Sequence, residues 1–240
     1  MTTLVVGATG ATGRLLVQQL LARDEAVKVI VRSPEKLPDS IRDNSKLTVI
    51  QASLLDLTDQ DMAQHVAGCD AIASCLGHNM TFQGLFGQPR RLVTDAVSRL
   101  CDAAKANAPD HPVKFVLMNT TGNRNRDLSE PISFGEKAIT SLMRLLLPPH
   151  ADNEHAADYL RVEIGQDDPV IEWAAVRPDN LIDEGNVTEY EIHASPIRSA
   201  ILNPGKTSRI NVGHFMADLI TDPDTWARWK GQMPVIYNKE

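Results

Sequence analysis

The stretch Leu4-Val5-Val6-Gly7-Ala8-Thr9-Gly10-Ala11-Thr12-Gly13 decides the fold. Residues 3–6 form an apolar run too short for a helix, and it ends on a glycine. Beyond Gly10, the apolar residues Leu16, Val17, Leu20 and Leu21 recur at helical spacing. Between strand and helix, Gly7 can make the tight turn and Gly10 lets a backbone approach a pyrophosphate. Gly13 lets the helix pack closely on the strand. With Ala8, Thr9, Ala11 and Thr12 completing the loop, the free N–H groups and positive dipole end of the helix face the phosphates. The spacing is G-x-x-G-x-x-G, and no Gly-Lys-Ser/Thr follows, so this is not an NTPase phosphate loop. An ordinary strand-to-helix turn could carry the same glycines; the flanking strand and helix are what point to a dinucleotide.

Working outward, further short apolar runs fall at residues 26–31, 47–50, 71–75, 114–118 and 173–176. Helical patterns separate several of them. One covers residues 92–106, with Val93, Ala96, Val97, Leu100 and Ala104 on one face, and another covers roughly residues 154–162. Near-continuous apolar strands alternating with helices imply a parallel sheet covered on both faces. The expected class is α/β, a Rossmann-type doubly wound parallel sheet. After Pro178 the rhythm changes: residues 179–203 are polar, with strands expected at residues 189–193, 210–212 and 232–237 and a helix at 212–220. No Gly/Ser/Pro-rich linker divides the chain. The expectation is one domain over residues 1–240, with residues 181–240 forming a small lobe on the substrate side.

The chain has 240 residues, 42% of them hydrophobic, enough for a sizeable core. Its net charge of −7 argues against a nucleic-acid partner, which would call for a basic face. No apolar run approaches the roughly 20 residues of a membrane span, and no basic leader is visible. Cys69, Cys75 and Cys101 have no metal-like spacing and cannot all pair, so no metal set is expected. These readings point to a reduced, cytoplasmic protein acting on a small molecule, with a homo-oligomer left open.

The end of the second strand discriminates between nicotinamide cofactors. An Asp or Glu there would bond the ribose 2′-hydroxyl of NAD. This chain has Arg32, 19 positions beyond Gly13, followed by Ser33 and Lys36. A guanidinium pairs with a 2′-phosphate that an acid would repel, which favours NADP (NADPH). A solvated surface arginine is the alternative reading.

With residues 4–13, Arg32 and Arg177-Pro178 in view, the chain resembles the short-chain dehydrogenase/reductase superfamily, in its atypical, NmrA-like branch. By that resemblance Leu54, after the third strand, lies beside the adenine, where Ser53 replaces the acid common in relatives. Leu76 and Gly77 fall by the nicotinamide ribose, Asn119, Thr120 and Thr121 face the nicotinamide, and Pro178 opens the loop over the reactive end. The family's usual chemistry needs a Tyr and a Lys four residues later. No Tyr-x-x-x-Lys exists here; the helix aligned on Tyr159 places Pro149 and Asn153 at those positions.

A proton source must then come from elsewhere. His78, at the carboxyl end of the fourth strand, is the first candidate, although a loop histidine without a role fits there too. Thr120 and Thr121 can donate hydrogen bonds but are poor acids. His150 and His155 flank the missing pair. Cys75 reads as a small buried hydrophobe rather than a reactive thiol. Phe82, Leu85 and Phe86, in a loop over residues 79–89, could line a substrate pocket or pack beneath the loop. The expected function is an NADP-dependent reductase passing hydride to a small carbonyl or quinone-like acceptor. The alternative is a non-catalytic NADP-binding redox sensor acting through a protein partner.

Overall fold

The computed structural model describes residues 1–78, 87–130, 135, 139, 142, 144 and 146–239. Strand β1 (Thr2–Val6) leads through the glycine loop into helix α1 (Gly13–Ala22) and strand β2 (Ala26–Val31). Strand β3 (Leu47–Gln51), helix α2 (Asp59–Val66) and strand β4 (Ala71–Ser74) follow. Next come helix α3 (Leu92–Ala106), strand β5 (Val113–Met118), helix α4 (Pro148–Asp158) and strand β6 (Ile171–Pro178). The remainder holds β7 (Asn180–Ile182), β8 (Tyr190–His193), β9 (Lys206–Ser208), α5 (Arg209–Thr221), α6 (Pro223–Trp229) and β10 (Val235–Asn238).

Eight strands form one sheet in the order β3-β2-β1-β4-β5-β6-β10-β8, and β7 and β9 pair separately. Every pairing in the large sheet is parallel except β10 with β8. The architecture is the Rossmann-like α/β class expected. Its strands are buried on both faces because helices cover both. One layer of core, including Leu100, Phe115 and Trp173, lies under α2, α3 and α4. The other, including Leu16, Val29 and Met216, lies under α1, α5 and α6.

Two expectations need correction. Residues Ile210, Asn211 and Val212 do not form a strand; they open α5. The Ser208 hydroxyl accepts the Asn211 N–H at 3.3 Å and caps that helix, and Val212, Phe215, Met216 and Leu219 then recur on its buried face. The helix expected near residues 154–162 begins earlier, at Pro148, where a proline costs no hydrogen bond. It ends in a π-helical turn over Tyr159–Ile164.

Candidate functional site

The glycine loop owes its shape to two hard contacts. Gly7 has φ +77°, and a Cβ there would sit 2.5 Å from the carbonyl of Cys75, at the end of β4. A Cβ on Gly13 would lie 2.2 Å from the Gly7 carbonyl oxygen. The Gly10 N–H donates to that same oxygen at 2.9 Å and closes the turn. Helix α1 then begins with no side-chain cap and no acidic residue in its first turn. The Arg14 and Leu15 N–H groups turn back onto the Gly10 and Thr12 carbonyl oxygens at 3.1 and 3.0 Å, while the positive end of the helix faces no acidic side chain of its own first turn and suits an anion.

Gly7, Ala8, Thr9 and Gly10 line a cleft of about 520 Å³ at the carboxyl ends of β1, β2 and β4. Ala11, Thr12 and Gly13 form the helix entry behind it. Arg32, exposed at the end of β2, lines the same cleft, and among the described residues it makes no ion pair. Ser33, the next residue, lies outside the lining. From the segment after β4 come Cys75, Leu76 and Gly77, and from the turn after β3 come Ser53, Leu54, Leu55 and Asp56. That turn is held from α3: Arg99 donates to the carbonyl oxygens of Leu55 at 2.9 Å and Leu54 at 3.3 Å, and also to Leu57. Asp56 escaped the sequence reading, which looked for an acid at Ser53. The signal was present three residues further on.

Cys75, half-buried, lines the cleft. Burial pushes its thiol pKa up to about 12, and its Sγ lies 3.9 Å from the Met216 sulfur.

The remaining site residues gather at the carboxyl ends of β4, β5 and β6, outside the lining of the cleft. Asn119 is buried, donating to the Asn153 carbonyl oxygen at 2.9 Å and accepting from the Thr120 N–H at 2.8 Å. The Thr120 hydroxyl accepts from Gly122 N–H at 3.2 Å, and the Thr121 N–H donates to the Pro178 carbonyl at 3.1 Å. The Thr121 hydroxyl bonds Asp179, whose carboxyl pKa is raised by burial despite N–H groups donated by Gly205 and Asn180. His78 turns its ring inward, with Nε2 2.8 Å from Asp152 Oδ2, and 6% of its side chain remains accessible.

Asp152 is a residue the sequence reading missed. It lies 74 positions from His78, and only packing of α4 on α3 joins them. On the same helix, His150 packs over Gly122; its buried Nε2 has no hydrogen-bond partner among the described residues, and burial lowers its pKa. His155 lines a shallow groove elsewhere on α4. Phe82, Leu85 and Phe86 fall outside the described residues. Among the described residues no cluster could hold a metal ion, and no helix is long and apolar enough to cross a membrane.

A strand–glycine turn–helix unit opening on a cleft at the sheet's carboxyl edge defines a nucleotide-binding Rossmann protein. Residues 7–223 match the model of the NAD(P)H-binding family, and the chain belongs to that family. The superfamily resemblance drawn from the sequence holds in the fold as well. The oxidoreductase ylbE from Lactococcus lactis aligns with a TM-score of 0.70 and 19% identity, over 100% of this chain and 92% of that one. A short-chain dehydrogenase/reductase from Veillonella parvula in complex with NADP gives a TM-score of 0.70 and 15% identity, over 99% and 94%. An uncharacterised chloroplastic protein of Arabidopsis thaliana is 43% identical over 119 residues, 48% of this chain. The match spans only 40% of that relative's own length.

The residues present fit a nicotinamide dinucleotide. The uncapped start of α1 suits its phosphates, and no side chain stands on Gly10 to hold a backbone-bound ligand away. The cleft lies in the usual volume range for such ligands.

Proposed function

We propose that this chain is an NADP-dependent oxidoreductase of the atypical, NmrA-like kind, passing hydride to a small carbonyl or quinone-like acceptor. The observation that carries the cofactor choice is Arg32. It is exposed, lines the cleft at the end of β2, and has no carboxylate partner among the described residues. A guanidinium in that state is suited to bidentate pairing with a 2′-phosphate. The glycine loop and α1 hold the pyrophosphate, and Leu54, Ser53 and Asp56 border the adenine half. Leu76 and Gly77 border the nicotinamide half, with Asn119 and Pro178 beyond it. When bound, NADPH supplies the hydride.

His78, Thr120 and Thr121 are the candidates for handling the proton, and residues 181–240 supply the substrate side of the site. The three cysteines are free thiols, in keeping with a reducing compartment such as the cytoplasm. Pro149 and Asn153 at the Tyr and Lys positions favour a second reading, a non-catalytic NADP-binding sensor. Incubation with NADPH and a panel of aldehydes, ketones and quinones separates the two. Sustained NADPH oxidation with at least one acceptor supports the reductase; binding without turnover on any of them supports the sensor.

A further inference from the structure

On α4, Pro149, Asp152 and Asn153 stand at i, i+3 and i+4 and share one face. By the family alignment this is the face that carries the missing Tyr and Lys. Here its inward-turned acid is Asp152, which is 2% exposed and fully engaged. Oδ1 accepts the Thr94 hydroxyl at 2.6 Å and the Thr94 N–H at 3.0 Å; Oδ2 accepts the Val93 N–H at 2.8 Å. Those donors belong to the first turn of α3, so Asp152 caps that helix from outside it, with its negative charge at the positive end. Against Oδ2 sits Nε2 of His78, at 2.8 Å. The residue before that histidine, Gly77, lines the cleft.

We infer that His78 and Asp152 form a dyad that replaces the Tyr-Lys pair as the proton-transfer device, with His78 the catalytic residue and Asp152 its positioning residue. The inference rests on the reductase reading above. A carboxylate facing Nε2 takes the Nε2–H, fixes that tautomer and stabilises the imidazolium. Reduction of a carbonyl adds a hydride at carbon and a proton at oxygen. The hydride and its electron pair come from the nicotinamide cofactor. The proton comes from His78: an Nδ1–H bond breaks, an O–H bond forms, and neutral imidazole remains with Nε2–H on Asp152. Water then restores the proton. The capped turn of α3 holds Asp152 rigidly, so the ring's direction is set by two helices rather than by its own loop.

Two measurements on the full chain test this. Imidazole nitrogen NMR of the protein without cofactor is expected to show His78 as the Nε2–H tautomer, and Asp152→Asn is expected to invert or mix it. In NADPH turnover with a carbonyl acceptor, kcat is expected to fall about 100-fold or more in both Asp152→Asn and His78→Gln, with the NADPH Kd changed less than about threefold.

Should Asp152→Asn fail to fold, the wild-type tautomer and His78→Gln still decide. A wild-type Nδ1–H tautomer, or an unchanged kcat in His78→Gln, overturns the dyad while leaving the cofactor reading intact. Absence of NADPH binding in the wild type overturns both together.

Discussion

At the scale of single residues, the site rests on atoms that are absent. Gly13 has no Cβ because one would lie 2.2 Å from the Gly7 carbonyl oxygen, a backbone atom that cannot swing away. Gly13→Ala is expected to cost about 1–3 kcal/mol and abolish NADPH binding; urea denaturation and a binding titration measure the two effects. A stability within about 0.5 kcal/mol of wild type would contradict the account. Cys75 provides a chemical test of the same wall. With its pKa pushed up to about 12 by burial, it carries almost no thiolate near pH 8. Mass spectrometry after brief iodoacetamide treatment should find Cys75 unmodified in the folded protein and modified in urea. Rapid native labelling would show that the cleft wall opens.

At the scale of elements, buried charge ties the loop after β5 to the sheet. Arg177 on β6 is wholly buried, and Nη2 donates to Glu130 Oε1 at 2.7 Å while Nε donates to the Met233 carbonyl at 2.7 Å. It also reaches the Asn123 and Ala194 carbonyl oxygens. Arg177→Met leaves Glu130 buried without its cation, still accepting the Asn125 N–H at 2.9 Å, and a loss of about 3–5 kcal/mol in chemical denaturation is expected; a loss under about 1 kcal/mol would refute the role. On α4, burial raises the Glu154 pKa, but hydrogen bonds from Arg144 and Arg126 outweigh it and hold the value below that of an ordinary glutamate. Its contribution is therefore present above the unfolded pKa and lost as pH falls through the folded one. Glu154→Gln should lower stability modestly at pH 7 and by progressively less as pH falls through the folded Glu154 pKa, as urea midpoints measured across the acid range would show.

The elements bearing apolar periodicity were readable beforehand: β2 and α3 follow the hydrophobic pattern from end to end. What escaped was held by long-range or polar contacts. Strands β7 and β9 are three residues each and exist through their pairing with one another. Helix α5 looked like a strand at its start because Asn211 interrupts the apolar spacing; its side chain is buried by bonds to Thr188 and Asn238. The cleft residues within a few positions of the glycine loop and strand ends could be named from local sequence. Asp152 could not, since nothing near it in the chain announces a histidine 74 positions away.

At the scale of the whole molecule, the strand order places the cleft. The chain runs outward from β1 to β3, then returns to add β4 on the other side of β1. The carboxyl ends of β1 and β4 thus open a crevice at the point of reversal, where such sheets bind ligands. Helix α5 braces α1 from behind; a Cβ on Gly213 would approach the Leu16 nitrogen to 3.0 Å. Because α1 carries the phosphate-facing turn, binding should stabilise the whole fold. At 100 times its Kd, NADPH is expected to add about 2.7 kcal/mol to unfolding.

The account turns on the glycine loop and Arg32 acting together on a 2′-phosphate, and calorimetric titration with NADPH and NADH tests this most directly. The prediction is tight NADPH binding, weaker NADH binding, and a loss of about 10- to 100-fold for NADPH in Arg32→Ala with NADH unaffected. Equal affinity for the two cofactors, unchanged in Arg32→Ala, would contradict it.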